Sequence, residues 1–231
     1  MKIVLATKNK DKIREIKDIL KDTVVEFVGL DEFEFLGVVE DGKTFFANAK
    51  KKAFETSRHT GLPALADDSG LVVPALDGAP GLYSSRYAGK NATYEDNVGK
   101  LLKELTGKTD RKAKFVCVCV LFFPGGRYFT ARGEIKGLIT EEPIGRAGFG
   151  YDPVFFVPGI RKTLSEIPQF EKNKMSHRGI AFRKMAEIIK RMKLSPPQAD
   201  ATLPPQADED AHHPDKDGEQ TKSAVAGVKS E

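Results

Sequence analysis

Cysteine is scarce. The chain of 231 residues has two, Cys117 and Cys119. They sit two apart in an apolar run, so on a strand both project to one face, where neighbours are poorly placed to bridge each other. No second Cys/His pair completes a zinc site. Buried packing in a reducing compartment is the plainer reading. Long hydrophobic runs are also missing. The longest, Phe115 to Phe123, is nine residues, about half of the ~18 that span a membrane. The N-terminus offers one lysine and then Ile3-Val4-Leu5-Ala6, too few apolar residues for a signal peptide. A cytoplasmic protein with no membrane partner is expected. There is no internal repeat. There is also no G-x-x-x-x-G-K-[ST], which sets aside a P-loop.

From Ser195 onward the chain lacks large apolar side chains and is rich in Pro, Ala, Asp and Gln. Such a segment cannot bury enough surface to offset the entropy of ordering, so residues 195–231 are expected to be a disordered acidic tail. His212 and His213 could hold a metal with Asp210 or Asp215, but a solvated tail is the simpler state. The formal net charge of +4 hides an asymmetry. The tail carries eight acids and three lysines, a net of −5, which leaves 34 basic and 25 acidic side chains, a net of +9, in residues 1–194. A basic surface suits nucleotides, nucleic acid or an acidic membrane face.

Residues 1–194 alternate between strand and helix patterns. Strands are expected at 2–6, 24–28, 63–66 and 112–123. Helices are expected at 11–21, 44–59 and 94–105, with a closing helix over 175–192. Pro124-Gly125-Gly126-Arg127 makes a hairpin turn, with 127–139 as the returning strand. The order implies an α/β fold with a mixed sheet, because the long hairpin is incompatible with a purely parallel one.

Ligands in α/β folds tend to sit where strands end and helices begin, and four segments there have unusual polar content. Thr7, Asn9 and Lys12, with Lys8 and Lys10 between them, occupy a strand-to-helix turn. Unpaired N–H groups at a helix start suit a phosphate, which would explain lysines where the dipole disfavours them; three solvated lysines would explain them equally. Asp67-Asp68-Ser69-Gly70 follows an apolar strand. Hard cations take oxygen ligands, so the acids suit Mg²⁺ or general-base work; an Asp-Ser-Gly turn capped by Asp68 is the alternative. Glu40 stands in an acidic loop before a helix and could add an oxygen ligand or simply be solvated. Phe149-Gly150-Tyr151-Asp152 reads as a tight exposed loop on which a base can stack, or as a buried aromatic anchor. Finally, Lys172 precedes a helix start with Ser176 as cap and His177 and Arg178 in the first turn. One anionic ligand between the two cationic helix starts would account for both.

The stretches VLATKNKDKIREI, EDGKTFFANAKKKA, ALADDSGLVVPALDGAPGLYSSRYAG, GFGYDPVFFV and EKNKMSHRGIAFRKM occur in that order. Together they resemble the inosine triphosphate pyrophosphatase family, the Ham1- or RdgB-like non-canonical purine nucleoside triphosphatases. The resemblance implies a two-lobed α/β fold over residues 1–194, with a central twisted mixed sheet flanked by helices and the active site in the cleft. It implies hydrolysis of dITP, ITP and XTP to the monophosphate and pyrophosphate, with Mg²⁺, by a homodimer that engages no nucleic acid. Matched residue by residue, Thr7, Lys8, Asn9 and Lys12 form the phosphate segment. Asp68 becomes the base and a metal ligand, and Ser69 a substrate contact. Phe149, Gly150, Tyr151 and Asp152 become the base-binding loop, and Lys172, His177 and Arg178 the remaining nucleotide contacts. Lys12 shares the catalytic work by holding the triphosphate.

Two positions depart from the pattern. Val39 stands where a second Glu is common, which leaves Glu40 as the loop's metal ligand. Ala47 replaces the Glu of Thr-Phe-x-Glu-Asn-Ala, so an acid near the site is missing and Asp67 is expected to assist Asp68. A Maf-like nucleotide pyrophosphatase and a non-catalytic basic RNA-binding module are the competing readings; the Asp67-Asp68 pair and the absence of an RNP-type aromatic motif speak against the second.

Overall fold

The computed structural model describes residues 1–35 and 37–194; the expected tail, with His212 and His213, lies outside the described residues. Seven strands form one sheet in the order β2-β1-β3-β4-β5-β6-β7. They are β1 (Lys2–Leu5), β2 (Glu26–Gly29), β3 (Ala64–Val72), β4 (Lys112–Phe122), β5 (Tyr128–Ile139), β6 (Phe155–Val157) and β7 (Lys162–Thr163). β1 runs parallel to β2 and β3, and every pairing from β3 to β7 is antiparallel. The sheet is therefore mixed, as the hairpin required.

The helices are α1 (Lys10–Leu20), α2 (Phe45–Thr60), α3 (Tyr94–Glu104), α4 (Gln169–Met175) and α5 (His177–Leu194). Their starts follow from caps. The Asn9 side chain accepts from the N–H groups of Asp11 at 2.9 Å and Lys12 at 3.1 Å. Thr44 accepts from the N–H of Ala47 at 3.0 Å, and Gly61 closes α2 in the left-handed conformation at φ 69°. The expected closing helix is α5, with Ser176 as its cap, and the short α4 before it was not anticipated. Ser176 leaves helical geometry at ψ 158°, and its hydroxyl caps α5 through the N–H of Gly179.

The two long strands span two cores. Phe115 and Leu71 pack with α3 residues Val98 and Leu101 and with Phe155 and Leu164. Further along the same strands, Cys117, Cys119, Leu121 and Leu65 pack with β1, with Ile16 and Leu20 of α1, and with Phe182 and Met185 of α5. On the opposite face, Ala49 and Ala53 of α2 pack on Ala66 and Val120. Helices thus cover both faces of the one mixed sheet, as expected. Both cysteines are buried and free, as anticipated. Among the described residues no helix is long and apolar enough to cross a membrane.

One boundary changes the site. The strand expected to stop at residue 66 continues to Val72, pairing with β4 from Ala64↔Phe122 to Val72↔Lys114. Asp67 and Asp68 are therefore strand residues, not a turn or a cap. An antiparallel partner satisfies the backbone whatever the side chains are, so the acids do not end the strand.

Candidate active site

β1 pairs with β3 only at Val4↔Ala64 and Leu5↔Leu65. Beyond Leu5 the chain leaves through Thr7 and Asn9 into α1, while β3 runs on beside β4. The cleft thus opens at the carboxyl end of a parallel strand, with Asp67, Asp68 and Ser69 at its floor. Successive strand residues face opposite sides of a sheet. Asp67 faces α1 and α5, and Asp68 faces α2. The two carboxylates do not work as a pair, which corrects the expectation that Asp67 would assist Asp68.

On the Asp67 side a buried charge network joins both cationic helix starts. Lys12 Nζ lies 3.0 Å from Asp67 Oδ2, and Arg178 Nε lies 3.6 Å from it. Arg178 donates to Glu15 at 2.6 Å and to the Ser69 hydroxyl at 2.9 Å. Lys172 donates to Glu15 at 2.9 Å and to Asp152 at 2.6 Å, and Asp152 accepts from the N–H of Phe149 at 2.9 Å. The anions between the two helix starts are therefore the protein's own carboxylates. Nor are the helix-start N–H groups open as expected, because Asn9 already accepts from two of them. The dipole penalty at α1 is met by Asp11 and by Asp67. At α5 it is met by Glu15, and by His177, which burial and then the Arg178 charge keep neutral.

Burial opposes ionisation of Asp67, yet Lys12, Arg178 and Lys52 outweigh it and hold the carboxyl well below the usual range. Burial likewise opposes Glu15, but Arg178 and Lys172 bring it down from 4.5 to about 2. Asp152 behaves differently. It shares Lys172 with Glu15, and burial, with the Glu15 charge added, pushes it up despite that lysine. One ammonium between two carboxylates favours the one that also has a guanidinium. Lys172 itself is raised, since Asp152 and Glu15 overcome the effect of burial.

On the other face Asp68 accepts from Asn48 Nδ2 at 2.9 Å and from the N–H of Ser69 at 3.0 Å. Lys52 Nζ lies 3.2 Å from Glu40 and 4.0 Å from Asp68. Burial raises Asp68 from 3.8 to about 6; Lys52 and Lys12 oppose the rise, and the Glu40 charge adds to it. The cleft thus holds five carboxylates (Glu15, Glu40, Asp67, Asp68, Asp152) against four cations (Lys12, Lys52, Lys172, Arg178). The excess charge falls on the Glu40–Asp68 pair. Two oxygen donors of one sign fit a hard divalent cation that takes its other ligands from water and phosphate, as Mg²⁺ does. Among the described residues no group of three or more His, Cys, Asp or Glu converges as a self-sufficient metal cage.

At the far end, Gly148 adopts φ +80°, and a Cβ there would meet Asp152 Oδ2 at 2.2 Å. The glycine lets Asp152 fold back onto the loop. Phe149 is half-buried, with Lys172 Nζ 5.2 Å and Arg178 Cζ 5.6 Å from its ring centre. Tyr151 departs from expectation: it is buried and donates to the Ser84 carbonyl at 2.9 Å, an anchor in the core. Asp152 is buried too, so the loop is exposed only up to Gly148. His177 stacks on Phe115 at 4.6 Å. Its Nδ1, with Arg178 Nε and Asp67 Oδ1, is a buried polar atom with no hydrogen-bond partner. Orphans of this kind cost about 1–3 kcal/mol each.

Of the candidates, Thr7, Asn9, Lys12, Ser69, Asp152, Lys172, His177 and Arg178 gather on the Asp67 face, with Phe149 and Gly150 on the adjoining loop. Thr7 accepts from the N–H of Asn9 at 3.2 Å. Glu40 and Asp68 meet on the α2 face, and Lys8 lies exposed at the turn. Sequence reasoning missed Glu15, Asn48 and Lys52. Each had a signal. Glu15 interrupts the apolar stripe beside Ile16, and Asn48 and Lys52 flank the small residues Ala49 and Ala53 one turn apart.

The sequence profile of the Ham1 family matches residues 3–188. A dITP/XTP pyrophosphatase of Desulfotalea psychrophila is 50% identical over 187 residues, covering 80% of this chain and 82% of the relative. That of Geobacter sulfurreducens is 51% identical, covering 78% and 92%. The solved structure of a HAM1 protein from Coxiella burnetii superposes with a TM-score of 0.78 at 42% identity, covering 83% of this chain and 99% of the other. The Maf-like and RNA-binding alternatives are set aside, because on these matches the chain belongs to the Ham1 family.

Proposed function

We propose that this chain hydrolyses non-canonical purine nucleoside triphosphates, ITP, dITP and XTP, to the monophosphate and pyrophosphate. The observation that carries the mechanism is the buried Asp68 carboxylate, which accepts from Asn48 Nδ2 at 2.9 Å and from the Ser69 N–H at 3.0 Å and shares Lys52 with Glu40. A carboxylate fixed in this way suits proton abstraction from a positioned water. Asp68 takes that proton while the water oxygen bonds to the α-phosphorus; the α–β bridging P–O bond breaks and pyrophosphate leaves. Glu40 and Asp68 would hold Mg²⁺, which supplies charge neutralisation on the phosphate oxygens. Lys12 has three N–H donors and gives one to Asp67, so it can hold the triphosphate with the others. Most of the acceleration comes from positioning and electrostatics.

Selectivity rests on hydrogen-bond polarity. Hypoxanthine and xanthine present an oxygen at position 6, where adenine presents an amino group. Donors from Arg178, whose guanidinium lies over Phe149, from His177 or from loop N–H groups suit the oxygen, and a mismatch buried against them can cost ~10⁴-fold. The same reading makes the protein a cytoplasmic homodimer that uses Mg²⁺; light scattering of the full chain is expected to give the dimer mass, and a monomer mass overturns the dimer.

The test is parallel assay of ITP, XTP, GTP and ATP with Mg²⁺, with pyrophosphate and phosphate measured separately. Pyrophosphate from ITP and XTP, with little from ATP, is expected. Phosphate as the product, or equal turnover of all four, overturns the reading. Asp68→Asn is expected to lower kcat by at least ~10³-fold with folding intact.

A further inference from the structure

Tyr94 begins α3, the helix of the other core, yet its side chain reaches across to the cleft. Its hydroxyl donates to Asp11 Oδ2 at 3.2 Å, and the Asn9 side chain interacts with the same hydroxyl. Its ring lies 5.8 Å from the Phe149 ring at 44°. It thus touches the start of α1 with one end and the aromatic loop with its face, while 37% exposed. Its backbone is tightly held. Thr93 and Asp96 cap each other, at 3.1 Å from the Asp96 N–H and 2.8 Å from the Thr93 N–H. Asn97 binds the N–H of Ala88 at 2.7 Å and the Thr93 carbonyl at 2.9 Å. What can move is the side chain, held by an exposed hydrogen bond and a ring contact.

We infer that Tyr94 is a further substrate-contacting residue, an aromatic latch across the cleft mouth that a purine base displaces from Phe149 on entry. This rests on the nucleotide reading above. At 5.8 Å the two rings touch each other, so a base that stacks on that side of Phe149 takes the place Tyr94 holds. The hydroxyl bond to Asp11 opposes the displacement. It also links base entry to the phosphate end of the site, because Asn9 and Asp11 open α1 ahead of Lys12.

The chain contains no tryptophan, so Tyr94→Trp places a single reporter at the latch. The variant is titrated with ITP in EDTA, with binding measured in parallel by equilibrium dialysis. The indole emission is expected to change saturably, at the half-saturation dialysis gives. Tyr94→Phe, which keeps the ring and loses the hydroxyl, is expected to lower KM for ITP about threefold. ITP bound by dialysis with no change in emission overturns the latch, as does an unchanged or raised KM in Tyr94→Phe. An unaltered protein that neither binds ITP by dialysis nor turns it over with Mg²⁺ overturns the nucleotide reading, and the latch with it.

Discussion

Glu15 is the acid on which both sides of the charge network depend, and replacing it with Gln keeps the shape while removing the charge. Its folded-state pKa, depressed from 4.5 to about 2, fixes the sign. The stabilisation is fully present above 4.5 and is lost as pH falls through 2. At neutral pH it amounts to about 3 kcal/mol. An independent argument agrees: removing one partner of a buried ion pair costs about 3–5 kcal/mol. The low end applies here, since Lys172 keeps Asp152 and Arg178 keeps Asp67. Urea unfolding of both proteins between about pH 7 and pH 3 tests this. The wild type should be more stable by about 3 kcal/mol at pH 7, and the gap should close by about 2 kcal/mol at pH 3. A gap below about 1 kcal/mol, or one that stays constant with pH, refutes the account of Glu15 as the ionised centre of the network.

Gly133 of β5 faces α5, where an added Cβ would lie 2.2 Å from the His177 carbonyl and 2.6 Å from the Ala181 N–H. Gly133→Ala should therefore push α5 off the sheet and lower Tm by roughly 6–12 °C, read by calorimetry. Tyr151→Phe strands the Ser84 carbonyl and should cost about 1–3 kcal/mol in urea unfolding. Its KM for ITP should change less than about twofold; a roughly tenfold rise would return Tyr151 to the base-binding role. Lys52 is the largest influence holding Asp68 down. In metal-free protein Lys52→Met should move the Asp68 carboxyl above about 6, measured by carbon NMR titration; a fall would disprove the assigned coupling.

The alternation of strands and helices was legible because its periods are strong: Ile13, Ile16, Ile19 and Leu20 on α1, and the unbroken apolar run of β4. The length of β3 was not, because adjacent acids resemble a strand end when only the chain itself is read. Its antiparallel partner decided otherwise. The candidate site was legible as a set of odd residues, lysines and an arginine at helix starts and acids in an apolar strand. The relations among them were not. Glu15 looks like one more surface acid until α4 and α5 fold over it. Ala47 suggested a lost ligand, yet it occupies the third helical position after the Thr44 cap, where a Glu would complete a capping box. A helix-capping role accounts for the usual Glu there without any metal. The pleat then separates the Asp67-Asp68 doublet into two functions. Asp67, on the α5 face, is ionised at all ordinary pH and holds Lys12 and Arg178 in register. Asp68, on the α2 face, is pushed up by burial, which fewer cations oppose and to which the Glu40 charge adds. One residue of register therefore decides which acid is scaffold and which can accept a proton. Shifting β3 by one position against β4 would exchange their faces and leave Lys12 without its partner.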